Sequence, residues 1–222
     1  MDFGLAFSYV FQDKDWLRKV GIVALISLIP ILGQLVLIGW SLNITKRVID
    51  RHPEPLPEVD FGGDLARGFS AFVIGFVYSL PITLFALVFG ILDSVVAGQS
   101  SSDAANTLIA ILSLCFGLFA FLYGIAIAIV LPAAYGNYIA KGNLSAGFAL
   151  GEVFGLVRAN IGAYLIVLLG SFVGGLIAPL GTILCVVGVI LTYTYTVAVM
   201  GHLYGQAYNA ATQNRVVVSA AS

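Results

Sequence analysis

Charge is scarce in this chain. Only 9% of its 222 residues are charged, against about 25% in a soluble domain. Ten Lys and Arg against eleven Asp and Glu leave a net charge of −1. No basic field is present to hold phosphates along a polymer, so no nucleic-acid partner is expected. Cysteine is nearly absent. Cys115 and Cys185 each sit inside an apolar run, where two small buried hydrophobes are expected rather than a disulfide or a metal site. Only two histidines occur, His52 and His202. There is no Ser/His/Asp set, no H-E-x-x-H, no phosphate loop and no Cys pair at metal spacing. The cores of the longest apolar runs lack charge, so intramembrane hydrolysis or ion-coupled pumping has little to work with. The chain is not read as an enzyme, and no cofactor is expected. A cleavable signal peptide is not expected either: the first apolar run ends in Trp40, not in small residues.

What is present is apolar. Hydrophobic residues make up 60% of the chain and the mean hydropathy is +1.03. A helix needs about 20 apolar residues to cross a bilayer. Four runs meet that length or nearly so: 69–92, 107–131, 161–178 and 182–202. The expected fold is an all-α polytopic membrane bundle. It forms one membrane-embedded domain over 1–208, followed by a loose polar tail over 209–222. Pro81 should kink the first span and Pro132 should bend or end the second. Residues 93–106 form a short polar loop without Lys or Arg. Thr45 to Arg67 is polar, and its prolines with Gly62-Gly63 argue against a long helix there.

A fifth stretch, 20–44, is apolar but broken by Pro30, Gly33 and Gln34. Val20 to Ile29 and Gly33 to Ile44 each reach roughly 15–18 Å, half a bilayer. It either crosses once with a proline kink or dips in and returns. The hairpin would place Lys14, Arg18, Lys19, Lys46, Arg47, Arg51, Arg67, Lys141, Arg158 and Arg215 on one side. Those are all ten basic residues, and the positive-inside tendency favours that arrangement with both termini cytoplasmic. Gln34 is available to serve a backbone group freed at the turn.

Two amphipathic segments are expected in the interface. In 2–12, Phe3, Phe7, Val10 and Phe11 share a helical face, Asp2 suits the helix N-terminus, and Trp16 follows at headgroup level. In 145–158, Leu150, Val153, Phe154 and Val157 form one face and Gly147, Gly151 and Gly155 another. Gly170 with Gly174, and Gly201 with Gly205, add two further small-residue pairs that allow close helix contact. The two segments also open a weak internal repeat: a short amphipathic piece, an aromatic, an apolar leg, a Pro/Gly turn and a second apolar leg.

The last span carries Thr192, Tyr195, Thr196, His202 and Gln206 near one stripe. Polar groups at membrane depth face protein or water, so this seam either bonds neighbouring helices or lines a passage; His202 as a haem or chlorin ligand is a further alternative. Elsewhere, His52 reads as a solvated loop histidine. Glu152 reads as an interface carboxylate able to pair with a cation. Glu54, Glu58, Asp60 and Asp64 lack the spacing of a calcium loop.

Several stretches carry a resemblance: MDFGLAFSYVFQDKDWLRKV, SLIPILGQ, PLPE (55–58), GFVYSLP (75–81), LPAAY (131–135) and HLYGQAY (202–208). The chain resembles a family of prokaryotic multi-pass membrane proteins catalogued only as a domain of unknown function, in the four-thousands of that series. The resemblance covers Met1 to about Tyr208 and implies an inner-membrane protein with no stated activity or site residues. The function expected from the residues is a structural or accessory membrane protein packing against lipid, a larger complex or its own copies. A transporter or lipid-handling protein using the seam is the alternative.

Overall fold

The computed structural model describes residues 1–54, 56–99 and 103–221, with the side chains of 96–99, 104–105, 184–186 and 215–221 outside the description. Cys185 and Arg215 therefore lie outside the described side chains. Among the described residues the chain is helical without strands. It runs α1 (Phe3–Ser8), a 3-10 turn (Tyr9–Gln12), α2 (Trp16–Ile26), α3 (Leu32–Ile49), α4 (Phe61–Gln99), α5 (Asp103–Lys141), a 3-10 turn (Leu144–Phe148), α6 (Leu150–Ala159), α7 (Ile161–Ile177), a 3-10 segment (Ala178–Leu184) and α8 (Cys185–Ala221). Four helical stretches are long and apolar enough to cross a membrane: Phe61–Val95, Asn106–Lys141, Ile161–Ile183 and Val187–Asn214. The all-α polytopic architecture is that expected from the sequence.

Boundaries differ where capping outweighs composition. Gly62 and Gly63 lie inside the first turn of α4, because Asp60 caps it: its carboxylate accepts from the Gly63 N–H at 3.1 Å, while Asp64 accepts from the Asp60 N–H at 3.0 Å. Such caps satisfy the free donors of a helix start. The polar loop 93–106 is mostly absorbed into α4 and α5. Pro132 does not end α5, which continues to Lys141; a missing N–H costs one bond, and long apolar helices tolerate it when neighbours serve the freed group. The tail beyond residue 209 is not loose: α8 continues to Ala221. Its extension is fastened by Asn209 Nδ2 to the Val48 carbonyl (2.9 Å) and Asn214 Nδ2 to the Ala159 carbonyl (3.2 Å), with Ala211 buried. The segment 145–158 is two pieces, a 3-10 turn and α6, so Gly147 does not share a helical stripe with Gly151 and Gly155.

The chain divides into two compact units, Met1–Ile74 with Ile129–Ser222, and Gly75–Ala128. The second unit is the paired apolar length of α4 and α5. Tyr123 donates to the Tyr78 carbonyl at 2.6 Å, and Phe89 stacks on Phe116 at 4.8 Å. Leu84, Leu87, Leu114, Leu118 and Phe121 are exposed. Cys115 is exposed in this unit, not buried as expected; two helices alone cannot enclose a side chain.

In the first unit α3 is central. Its middle stretch, 35–42, is apolar but for Ser41, which suits a helix covered on several sides. Val36, Leu37, Trp40, Leu42 and Ile44 are buried. A Cβ on Gly39 would collide with the Asp64 carbonyl, and one on Gly68 with the Leu35 carbonyl, so α3 and the start of α4 meet backbone to backbone. On another face, Gly201 and Gly205 of α8 bring that helix against Ser41, Thr45 and Val48. Gly170 and Gly174 of α7 receive Leu203 and Thr196 of α8, and Gly147 receives Ile74. Gly151 faces open space.

The 20–44 stretch reverses. α2 and α3 are joined by residues 27–31, and Ile31 takes φ 65, an unusual conformation for a β-branched residue. The reversal lies slightly earlier than Pro30 to Gly33. Gly33 is already in α3, where its lack of a Cβ admits the Ile26 carbonyl. Gln34 Nε2 donates to the Ser27 carbonyl at 2.9 Å, and Ser27 Oγ to the Ala24 carbonyl at 2.7 Å. The tip residues Leu28, Ile29 and Ile31 are exposed. At the other end, Lys19 Nζ reaches Asp13 (2.8 Å) and the Leu56 carbonyl (3.0 Å), Arg18 pairs with Glu58 at 2.9 Å, and Trp40 Nε1 donates to the Pro57 carbonyl at 3.2 Å. The residues before α2 and after α3 are thus tied together at the open end of the hairpin.

Candidate functional site

The stripe on α8 is occupied by the chain's own N-terminal segment. Tyr195 donates to the Phe7 carbonyl at 2.6 Å, and Tyr9 returns a bond to the Ala198 carbonyl at 3.0 Å. Burial, with Tyr195 nearby, pushes the Tyr9 phenol well above its ordinary range, so it stays protonated as a donor. Gln206 clamps the backbone of Asp2: its Oε1 accepts from the Asp2 N–H at 2.7 Å and its Nε2 donates to the Asp2 carbonyl at 2.9 Å. His202 stacks on Tyr9 with ring centroids 4.2 Å apart. Thr192 turns the other way and donates to the Ala178 carbonyl at 2.7 Å, while Thr196 bonds back to the Thr192 carbonyl at 2.9 Å. The five seam residues therefore divide into Tyr195, His202 and Gln206, which meet the N-terminal strap, Thr192, which reaches the turn, and Thr196, which bonds within α8.

The N-terminal segment is short because its hydrogen bonds soon leave the helix. Asp2 caps α1 by accepting from the Leu5 N–H at 2.8 Å. The buried side is Ala6, Tyr9 and Val10, whereas Phe11 is 55% exposed. The expected Phe3/Phe7/Val10/Phe11 face is thus rotated, because the chain tightens to 3-10 geometry at Tyr9 and moves Phe11 outward.

Removing the Tyr195 hydroxyl should loosen the strap while leaving the bundle folded. Polar bonds between membrane helices are worth about 0.6–2 kcal/mol. Tyr195→Phe is expected to lower stability by that amount and to increase amide exchange at Phe7 to Val10. Unchanged exchange there would remove the strap-holding role.

A cavity of about 340 Å³ opens beside this clamp. Both histidines of the chain line it, with Arg47, Arg51, Glu54 and Gln206. It was not legible from either histidine alone: His52 follows the C-terminus of α3, and His202 belongs to α8. Arg47 Nη1 pairs with Glu54 at 3.1 Å. Tyr195 lines a different cavity, of about 300 Å³, with Phe11, Trp16 and Thr192. The two cavities share no lining residue.

The other singled-out carboxylates have protein partners. Glu152 bonds Lys141 at 2.7 Å and Asn137 at 2.8 Å. Glu58 pairs with Arg18, and Asp64 with Arg67. Among the described residues no group of three His, Cys, Asp or Glu is placed to hold a metal. Sequence reasoning missed Lys19, Asp13 and the Gly39/Gly68 crossing. A lysine next to an apolar leg looks like an interface anchor, and its buried partner lies in a turn that only folding brings close.

No curated protein matches this chain. No solved structure matches it. One family model does, over residues 22–206, which takes in α3 to α7 and α8 as far as Gln206, and leaves the N-terminal strap with Asp2, Phe7 and Tyr9 outside. By that match the chain belongs to the family described as "Protein of unknown function (DUF4013)".

Proposed function

We propose that this protein is a structural or accessory component of a prokaryotic inner membrane, not an enzyme. The observation that carries this reading is the occupation of the seam. Side chains that could have lined a substrate path are committed to the N-terminal segment and to the turn before α8. The surface offered to partners or lipid is the α4/α5 unit, whose most apolar stretches are 6% buried within the chain. Such stretches in a bilayer are covered by acyl chains or by other helices.

In this reading four helices cross fully and the α2/α3 hairpin dips and returns. Its apolar uncovered tip belongs in lipid, and its tied open end carries Lys14, Arg18, Lys19, Lys46, Arg47 and Arg51. Both termini are then cytoplasmic, and the α6 segment lies in the cytoplasmic interface. Two measurements test the proposal. Reporters fused after Lys19 and after His52 should report the same, cytoplasmic side; opposite sides would overturn the hairpin placement. Extraction of the native protein in polymer-bounded lipid discs should retain a stoichiometric protein partner or a second copy. A bound small-molecule substrate with no protein partner would overturn the accessory role.

A further inference from the structure

The cavity beside the clamp presents donors, and their protonation follows from the bonds around them. A backbone N–H can only donate, so the Gln206 atom facing the Asp2 N–H is Oε1. Gln206 Nε2 therefore faces the Asp2 carbonyl, and the same Nε2 lies 3.0 Å from His202 Nδ1. An amide nitrogen donates there too, so His202 Nδ1 accepts and the neutral ring carries its proton on Nε2. His52 is fixed the same way: its Nδ1 accepts from the Glu54 N–H at 3.2 Å. Both rings keep an Nε2–H without a bonding partner among the described residues, and His202 Nε2 is not sealed in the core.

Arg51 adds charge at a strained position. α3 ends in a Schellman turn: the His52 N–H bonds the Arg47 carbonyl at 2.8 Å and the Arg51 N–H the Val48 carbonyl at 3.3 Å. The residue between helix and exit is then left-handed, and Arg51 has φ 54. Glycine is the usual occupant, because a Cβ is disfavoured there. Backbone strain of this kind gathers at ligand sites. Of the two carboxylates that line the cavity, Glu54 pairs with Arg47, while Asp2 caps α1 through the Leu5 N–H and keeps its charge. Arg51 has no ion pair among the described residues.

We propose that this cavity binds a phosphate group through Arg51, His52 and His202. One guanidinium and two imidazole N–H donors suit a tetrahedral acceptor with several oxygens. A cation is disfavoured because both Nδ1 atoms are already used as acceptors. The cavity lies where α3 ends and α1 begins, in the size range of small-ligand pockets, about 300–1,000 Å³. The phosphate comes either from a phospholipid headgroup or from a soluble phosphate ester. The inference goes beyond the accessory role and does not depend on it.

The test uses the full chain purified without phosphate, with two probes. One is inorganic phosphate added to protein in neutral detergent. The other is phosphatidic acid in phosphatidylcholine discs, against phosphatidylcholine alone. Thermal unfolding and direct titration are read for wild type, Arg51→Gly and His52→Ala. Wild type should be stabilised saturably by at least one probe, and each substitution should weaken binding about tenfold or more, as for loss of a bond to a charged group. Arg51→Gly should also raise the ligand-free Tm, since glycine relieves the left-handed backbone, so its lost binding is not lost folding. Protection by the lipid alone assigns a headgroup; protection by inorganic phosphate alone assigns a soluble ester. No saturable effect of either probe, or wild-type binding by Arg51→Gly, overturns the proposal.

Discussion

Lys19→Met is expected to destabilise the protein by about 3–5 kcal/mol, the cost of leaving one member of a buried ion pair without the other. Lys19 and Asp13 are 9% and 8% exposed at their side chains and 2.8 Å apart. Lys19 also donates to the Leu56 carbonyl, and Leu56 is fully buried beside Trp40, Tyr9 and Val20. The ammonium thus ties the turn before α2 to the loop after α3. Asp13→Asn combined with Lys19→Met should recover much of the loss, because a neutral pair leaves no buried charge. Equilibrium unfolding in a mild detergent measures the cycle; a single-variant cost under about 1 kcal/mol would show the pair to be solvated instead. The same pair sets a pH dependence. Burial pushes the Asp13 carboxyl up, but Lys19 and the Asp15 N–H outweigh it and hold it below the ordinary range. Its folded-state value is depressed, so its contribution is fully present above the ordinary carboxylate range and is lost as pH falls through the folded value. Lys19→Met should abolish that acid-side slope.

Gly39→Val is the second large effect. A Cβ at Gly39 would overlap the Asp64 carbonyl and lie 2.9 Å from the Gly68 nitrogen. Flexible side chains yield to an added methyl; two helix backbones in contact do not. Overpacking costs about 1–3 kcal/mol in ordinary cores, and the rigid obstacle here places this substitution at or above the upper end. Because α3 also holds α8 through Gly201 and Gly205, separating it from α4 should lower expression of folded protein and its Tm together. Gly21→Ala is the control: nothing lies within 4 Å of its added methyl, and alanine is the better helix former. Equal losses at the two positions would mean that the crossing is not tightly packed.

The seam shows how far sequence reaches. Thr192, Tyr195, Thr196, His202 and Gln206 stand out because hydroxyls, an imidazole and an amide need partners inside an apolar helix. Their spacing places them, but it does not name the partner. Phe7 and Asp2, which receive Tyr195 and Gln206, lie 188 and 204 residues away. The same limit hid the shared cavity of His52 and His202. Each histidine alone reads as an ordinary polar residue, and only the return of α8 past the end of α3 makes them neighbours.

Composition and apolar run length determined that this is an all-α membrane protein with four long helices, because a bilayer requires about 20 apolar residues per crossing and internal bonding of every backbone group. The half-length legs around Pro30 left a hairpin and a single kinked crossing both open, and the reversal at residues 27–31 is decided by the packing of α2 against α3. Tertiary structure alone decided which glycines are contacts, that Lys19 is buried, that the N-terminal segment fills the seam, and that Arg51 is held left-handed beside two imidazole donors. Those features depend on pairs of residues far apart in the chain, and local periodicity carries no information about which distant backbone will come within hydrogen-bonding reach.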